Sequence, residues 1–210
     1  MAAPIFITGI GTGIGKTLVA AIITEALQAD YWKPVQAGFS EGTDTEWVAE
    51  RITNTKTCFH PEVYKLKLPA SPHIAAREEG ITIRLGAIID ALPDSGQGLI
   101  VEGAGGLLVP LNDQEFVADL VLALGAKVVL VSRNYLGSIN HSLLTADVCR
   151  SRGIDVAGWV FNDQYGDYEA DIARWTGLPV LGSIPFSGCC DRNFILNEAK
   201  QIAPALIKLL

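Results

Sequence analysis

An apolar run, PIFIT (residues 4–8), passes directly into GIGTGIGKT (residues 9–17) and then into a helix-period segment from Thr17 to Ala29. A buried strand, a glycine-rich turn and a helix in that order leave few folds open. The order repeats along the chain. YWKPV (31–35) reads as a short strand that Pro34 ends or places at an edge. Residues 43–53 read as helical with Thr43 as a candidate N-cap, and residues 54–80, with Pro61, Pro69 and Pro72, as irregular. Further helices are expected at 84–92, 115–124, 138–152, 168–176 and 194–210, and further strands at 98–103, 126–132, 155–162 and 179–185. Near-continuous apolar strands alternating with helices predict an α/β chain. Its sheet is mostly parallel, covered by helices on both faces and joined by right-handed crossovers.

Composition narrows the partners. The 210 residues suit one domain spanning 1–210. With 49% apolar and 19% charged residues, disorder is not expected. A net charge of −7 argues against broad nucleic-acid binding, which needs a basic face. No basic n-region precedes a long apolar run at the N-terminus, so no secretory signal is expected. FVADLVLALGAKVVLV is broken by Asp119, Gly125 and Lys127, as a helix followed by a strand and not a membrane span. A cytoplasmic protein without membrane partners is the expectation. Cys58, Cys149 and the vicinal Cys189 and Cys190 form no metal-spaced group with His60, His73 or His141, and reduced thiols are expected.

GIGTGIGKT lies where a phosphate loop must lie, between the first strand and the first helix. Glycines let backbone N–H groups converge on phosphate oxygens, and the helix N-terminus adds positive potential. Gly13, Ile14, Gly15, Lys16 and Thr17 are the expected ATP-binding residues, with Lys16 on the β/γ phosphates and the Thr17 hydroxyl on Mg²⁺. The usual spacing puts the first glycine at position 10, which is Ile10; read from Gly9, the loop is one residue longer.

Five polar side chains stand at element ends. Glu102 ends the apolar run LIV, where it holds Mg²⁺ or merely opens a turn; Gly103, Ala104 and Gly105 after it permit close backbone approach to a ligand. Asp44 opens a helix, as a metal ligand or simply as favourable charge at the helix dipole. Lys33, kept extended by Pro34, points into the crevice or to solvent. Ser138, in Gly137-Ser138-Ile139-Asn140, opens a helix whose free N–H groups suit a carboxylate, or only caps it. Asn162 follows a buried strand, and its amide both donates and accepts.

The longer loop resembles that of the dethiobiotin synthetase family. KPVQAG (33–38), VEGAGG (101–106), LGSINHSLLTA (136–146), AGWVFND (157–163) and GSIP (182–185) extend the resemblance in the family's order over most of the chain. It implies a P-loop NTPase-like three-layer sandwich. It also implies ATP-dependent carboxylation and ring closure of 7,8-diaminononanoate with CO₂, giving dethiobiotin, ADP and phosphate. Under the resemblance Lys33 and Lys16 are the active-site cations and Asp44 is a metal ligand, so that Thr17, Asp44 and Glu102 form a hard oxygen set suited to Mg²⁺. Asn162 and Asp163, with Pro185, Phe186 and Ser187, surround the adenine. Thr12, Lys33 and Ala37 meet the diamine. Gly137, Ser138, Ile139 and Asn140 hold its carboxylate across a homodimer interface, beside Leu136. Ser71-Pro72-His73 also resembles the family without an assigned role.

Three positions depart from the family. Ala37 replaces a hydroxyl residue, Gly13 an acid and Tyr135 a lysine, which bears on substrate affinity more than on the reaction. A partition- or division-type ATPase switch shares the fold and the loop branch. The acidic balance and a last helix bearing only Lys200 and Lys208 speak against it. A cobyrinic-acid-amidation-type domain ranks below both, since no glutamine-hydrolysing partner domain fits this length.

Overall fold

The computed structural model describes residues 3–163, 166 and 168–207. Its main sheet holds seven strands in the order β4-β2-β6-β1-β7-β8-β9. They are β1 (Ile5–Gly9), β2 (Asp30–Trp32), β4 (Phe59–His60), β6 (Leu99–Glu102), β7 (Lys127–Arg133), β8 (Val156–Asn162) and β9 (Val180–Ile184). Every pairing in it is parallel. The helices are α1 (Lys16–Leu27), α2 (Asp44–Ala49), α3 (Pro72–Glu78), α4 (Leu85–Asp90), α5 (Val117–Ala123), α6 (Ser138–Ser151), α7 (Glu169–Thr176) and α8 (Arg192–Ile207). The last three residues of the expected 194–210 helix lie outside the described residues.

The alternation of side chains along each strand divides the core in two. Phe6, Val101, Leu130 and Phe161 face one layer, where they pack with Ala118 and Val121 of α5 and Ala146 of α6. Ile7, Ile100, Val129 and Val160 face the other, against Ala20 and Ile23 of α1 and Ile202 of α8. Two buried faces explain why these strands read as continuous apolar runs. No helix among the described residues is long and apolar enough to cross a membrane.

Two readings of the sequence need correction. YWKPV is not one strand. Pro34 ends the strand, the first of the two alternatives, and divides the segment between β2 and β3 (Val35–Ala37); the edge alternative fails, since β2 lies inside the sheet between β4 and β6. The proline N lacks a hydrogen and cannot continue the ladder, so the chain turns there. β3 then pairs with β5 (Tyr64–Leu66) in a separate two-stranded sheet. Residues 54–80 are likewise not wholly irregular, since they contain β4, β5 and α3. Strands of two and three residues carry no period to read, and Pro72 sits in the first turn of α3, where its missing N–H costs nothing.

The topology positions the site. β1 is flanked by β6 and β7, and chain order reverses there, so a crevice opens at the carboxyl ends of these strands. Residues 10–15, Lys33 and Glu102 all follow or end strands on that rim.

Candidate active site

Two glycines explain the shape of the first loop. Gly9 is the last residue of β1, and a Cβ there would stand 2.1 Å from the Val131 carbonyl oxygen. Its glycine serves strand packing, which accounts for the apparent extra residue; the turn proper begins at Ile10. Gly15 has φ 90°, and a Cβ on it would lie 2.0 Å from the Asn162 amide nitrogen. Any side chain at position 15 would collide with Asn162 and strain the backbone that starts α1.

The loop forms one wall of a cleft of about 720 Å³. Thr12, Gly13, Gly15, Lys16, Thr17, Lys33, Ala37, Asp44, Glu102, Ala104 and Gly105 all line it. The volume suits a ligand of nucleotide size. Lys33 leaves the end of β2 and is only 4% exposed. Its Nζ lies 2.8 Å from Glu102 Oε1 and 2.5 Å from Asp44 Oδ2. Glu102 Oε1 also accepts the Thr17 hydroxyl at 2.8 Å, while Oε2 accepts the Tyr31 hydroxyl at 2.7 Å. The Lys16 ammonium donates back to the Gly11 carbonyl at 2.7 Å.

Asp44 owes its place to local chemistry. Thr43 caps α2 as expected: its hydroxyl accepts the Glu46 N–H at 3.1 Å, and Glu46 Oε2 accepts the Thr43 N–H at 2.7 Å. Asp44 is therefore the first helical residue, and its own N–H donates to Gln36 Oε1 at 3.2 Å.

The electrostatics separate the two lysines. Burial alone would lower the Lys33 pKa, but Glu102 and Asp44 outweigh it and hold the group above the ordinary lysine value. Burial dominates at Lys16, with Glu102 offsetting only part, and brings it down to about 8. Below pH 8 the Lys16 ammonium stays charged at an unfavourable buried position, and that penalty is relieved as pH rises from about 8 towards 10.5. An anion in the cleft favours the ammonium. Polyphosphate binding should therefore take up protons near pH 9, and the ATP affinity of the ligand-free protein should weaken above about pH 8. Calorimetry at pH 9 in two buffers of different ionisation enthalpy checks this; heats that agree in both would count against it.

Among the described residues no three His, Cys, Asp or Glu side chains converge as a metal cage. The Thr17 hydroxyl and the Asp44 and Glu102 carboxylates do belong to one connected cluster of hard oxygens. That set fits Mg²⁺, which takes one or two carboxylates and fills its remaining positions with water and substrate phosphate.

Other expected residues lie elsewhere. Gly103 follows Glu102, its N–H donating to the Ile7 carbonyl at 2.9 Å, and Ile14 is buried beneath the loop. Asn162 and Asp163 sit behind the loop, Asn162 Nδ2 donating to the Ile14 carbonyl at 2.9 Å. Phe186 is 72% exposed, and Pro185 and Ser187 do not line the cleft. Gly137, Ser138, Ile139 and Asn140 are also outside it. Gly137 has φ 104° and Ser138 is buried, its Oγ accepting the Tyr135 N–H at 3.3 Å. His73 faces a larger hollow of about 890 Å³ around Arg77 and Arg84, away from the phosphate loop. The four cysteines are free thiols.

Sequence reasoning missed Tyr31, Gln36, Pro69 and Ala70, and gave no role to Ser71 and Pro72, which complete a wall of the cleft. Gln36 lies within KPVQAG, and its position two residues beyond Pro34 was a usable signal. Tyr31 reads only as an apolar strand residue.

A family model described as an AAA domain matches residues 3–192. The ATP-dependent dethiobiotin synthetase BioD of Cytophaga hutchinsonii is 54% identical over 178 residues, 84% of this chain and 85% of that protein. That of Christiangramia forsetii is 42% identical over 205 residues, 97% and 98% of the two chains. Among solved structures, the cell division ATPase MinD of Pyrococcus furiosus superposes with a TM-score of 0.63 at 16% identity, over 99% of this chain and 100% of its own. Identity that low speaks for a shared P-loop NTPase-like sandwich and for nothing finer.

Proposed function

Since this chain belongs to the ATP-dependent dethiobiotin synthetase family, we propose that it carboxylates 7,8-diaminononanoate with CO₂ and closes the cyclic urea at the expense of ATP. The observation that carries the reading is the Lys33 ammonium, buried between Asp44 and Glu102 in the same cleft as the phosphate loop. A second buried cation in the cleft suits a reaction in which negative charge develops on a carbamate and a transferring phosphoryl group.

The chemistry needs no protein nucleophile. One amine attacks CO₂ to form a carbamate, a carbamate oxygen takes the γ-phosphoryl group, and the second amine displaces phosphate as the ring closes. The protein's share is positioning and positive charge. Lys16 leaves the Gly11 carbonyl for the β/γ phosphates. Lys33 stays charged through its two carboxylates and faces the carbamate. Thr12 and the Ala37 wall border the diamine. Mg²⁺, when bound, spreads the charge of the phosphate oxygens; Thr17, Asp44 and Glu102 would hold it. The Asn162 amide, with one N–H committed to Ile14, retains Oδ1 as an acceptor for the adenine amino group, beside Asp163 and the 185–187 segment.

Gly137–Asn140 stand outside their own chain's cleft, which supports a homodimer in which they hold the substrate carboxylate of the neighbour. The Ser138 N–H already donates to the Tyr135 carbonyl at 2.9 Å, so the Ile139 and Asn140 N–H groups in the first turn of α6 are the ones suited to that task. A division-type ATPase switch, which shares this fold, is the reading to set against it.

A single reaction separates the two. Protein, Mg-ATP, bicarbonate and 7,8-diaminononanoate should give a cyclic urea by mass spectrometry, with one ADP per product and dependence on both diamine and bicarbonate. ATP hydrolysis indifferent to the diamine would sink the carboligase reading and favour the switch.

A further inference from the structure

The outer side of the phosphate loop is held in part by Arg133, which the proposed chemistry does not use. Arg133, the last residue of β7, donates from Nε and Nη2 to Asp163 Oδ2 at 3.0 and 2.8 Å, and from Nη1 to the Gly13 carbonyl at 3.4 Å. Its side chain is half exposed and that of Asp163 largely buried. Asp163 is a non-glycine residue at φ 67°, and its N–H donates to the Ile184 carbonyl of β9 at 3.0 Å. The carboxylate that anchors Arg133 is thus tied into the sheet edge. One residue along the loop, the Ile14 carbonyl is held by Asn162.

The consequence follows from peptide geometry. No peptide bond among the described residues is cis, and in a trans peptide the C=O and N–H of one unit point in opposite directions. The Gly13 carbonyl shares its peptide with the Ile14 N–H, and the Ile14 carbonyl with the Gly15 N–H. Both carbonyls are drawn outwards by side chains from β7 and β8, so both N–H groups are turned to the inner side, where Gly13, Gly15 and Lys16 line the cleft. We infer that Arg133, braced by Asp163, is a positioning residue: it orients the Gly13–Ile14 peptide so that the loop N–H groups face the phosphates of ATP. The inference rests on the reading of residues 10–17 as an ATP phosphate loop.

The guanidinium is suited to this because its planar fork reaches a carboxylate and a carbonyl at once, which a lysine ammonium on a flexible stem does not do in the same geometry. The Gly13 contact is long, so its effect lies in fixing an orientation and not in bond strength. Gly13, at φ 72°, is free of side-chain restraint and needs an external hold.

The test compares ATP and adenosine binding by calorimetry in the wild type, Arg133→Ala, Arg133→Lys and Asp163→Asn, with thermal unfolding to establish that each variant is folded. Arg133→Ala should weaken ATP binding about tenfold and leave adenosine affinity unchanged. The KM for ATP should rise by a similar factor with kcat within about twofold, since ground state and transition state lose the same contact. Arg133→Lys should behave like Arg133→Ala, and the ratio of ATP to adenosine affinity in Asp163→Asn, which factors out the place of Asp163 beside the adenine, should fall between them and the wild type. Restoration by lysine would mean that charge alone matters and would overturn the positioning role. Equal losses for ATP and adenosine, or wild-type ATP affinity in Arg133→Ala, would overturn it too while the nucleotide reading stands. A wild-type protein that binds no ATP would remove the phosphate-loop reading itself and this inference with it.

Discussion

Replacing Lys33 by alanine should lower ring-closing turnover about a thousandfold, the scale seen when a preorganised charge is removed from a developing anion. The expectation follows from the position of the group more than from its type. A lysine at a strand end in water contributes little, because solvent screens it and its stem is free. Lys33 is buried, and its ammonium is fixed by Glu102 at 2.8 Å and Asp44 at 2.5 Å. Both carboxylates keep it charged, and neither lets it reorganise. The substitution has a structural cost as well. Breaking a buried ion pair by removing one partner typically destabilises by about 3–5 kcal/mol, and Asp44, being one-third exposed, moderates this through hydration. ATP affinity supplies the control. Lys16 and the loop peptides are untouched, so Kd for ATP should stay within about threefold of the wild type. Turnover near the wild-type value in a folded Lys33→Ala protein would remove Lys33 from the chemistry.

The features legible in the sequence were those whose cause is local. A glycine-rich turn between an apolar run and a helix identified the phosphate loop, and Thr43, as a candidate N-cap, identified the start of α2. Lys33 was only half legible: Pro34 places it at a strand end, and the resemblance of KPVQAG, not the spacing, turned it towards the site. The residues that escaped notice act through partners far away in sequence. Tyr31 matters because its hydroxyl meets Glu102, 71 residues later. Arg133 matters because Gly13 lies 120 residues before it. Neither pairing leaves a mark in spacing or composition. The short strands β4 and β5 were missed for a related reason. Their register comes from neighbours, β2 and β3, and not from their own two or three residues. The same distinction explains why Gly9 reads as a displaced loop glycine: its requirement comes from the Val131 carbonyl across the sheet.

Glu102→Gln is the isosteric counterpart of the Lys33 test. Its turnover should fall at least about a hundredfold, with a higher Mg²⁺ concentration needed for half-maximal rate. Glu102 is 1% exposed and accepts three hydrogen bonds: from Thr17 and Lys33 on one oxygen and from Tyr31 on the other. A glutamine keeps the volume but replaces one acceptor oxygen by an N–H₂ that only donates. Tyr31 can reverse its bond; the Lys33 ammonium has no lone pair and cannot. The amide must therefore keep its oxygen on the Lys33 side, and Lys33 is left with Asp44 as its only carboxylate among the contacts described. Loss of charge-assisted bonds of this kind should cost about 2–3 kcal/mol of stability.

The pH dependence separates this from a packing defect. In the parent protein the raised Lys33 pKa contributes stability that is fully present below 10.5 and is lost only as pH climbs through the higher folded-state value. Glu102 is the largest favourable cause of that shift, and removing it leaves the burial penalty opposed by Asp44 alone. Alkaline unfolding of Glu102→Gln should accordingly begin at lower pH than that of the wild type, whereas a merely packing-damaged variant would lose stability evenly across the range. A variant with wild-type turnover, Mg²⁺ requirement and alkaline midpoint would place the reacting groups away from Glu102. The deficit at alkaline pH together with the loss of rate would tie one carboxylate both to the charge state of Lys33 and to the handling of phosphate.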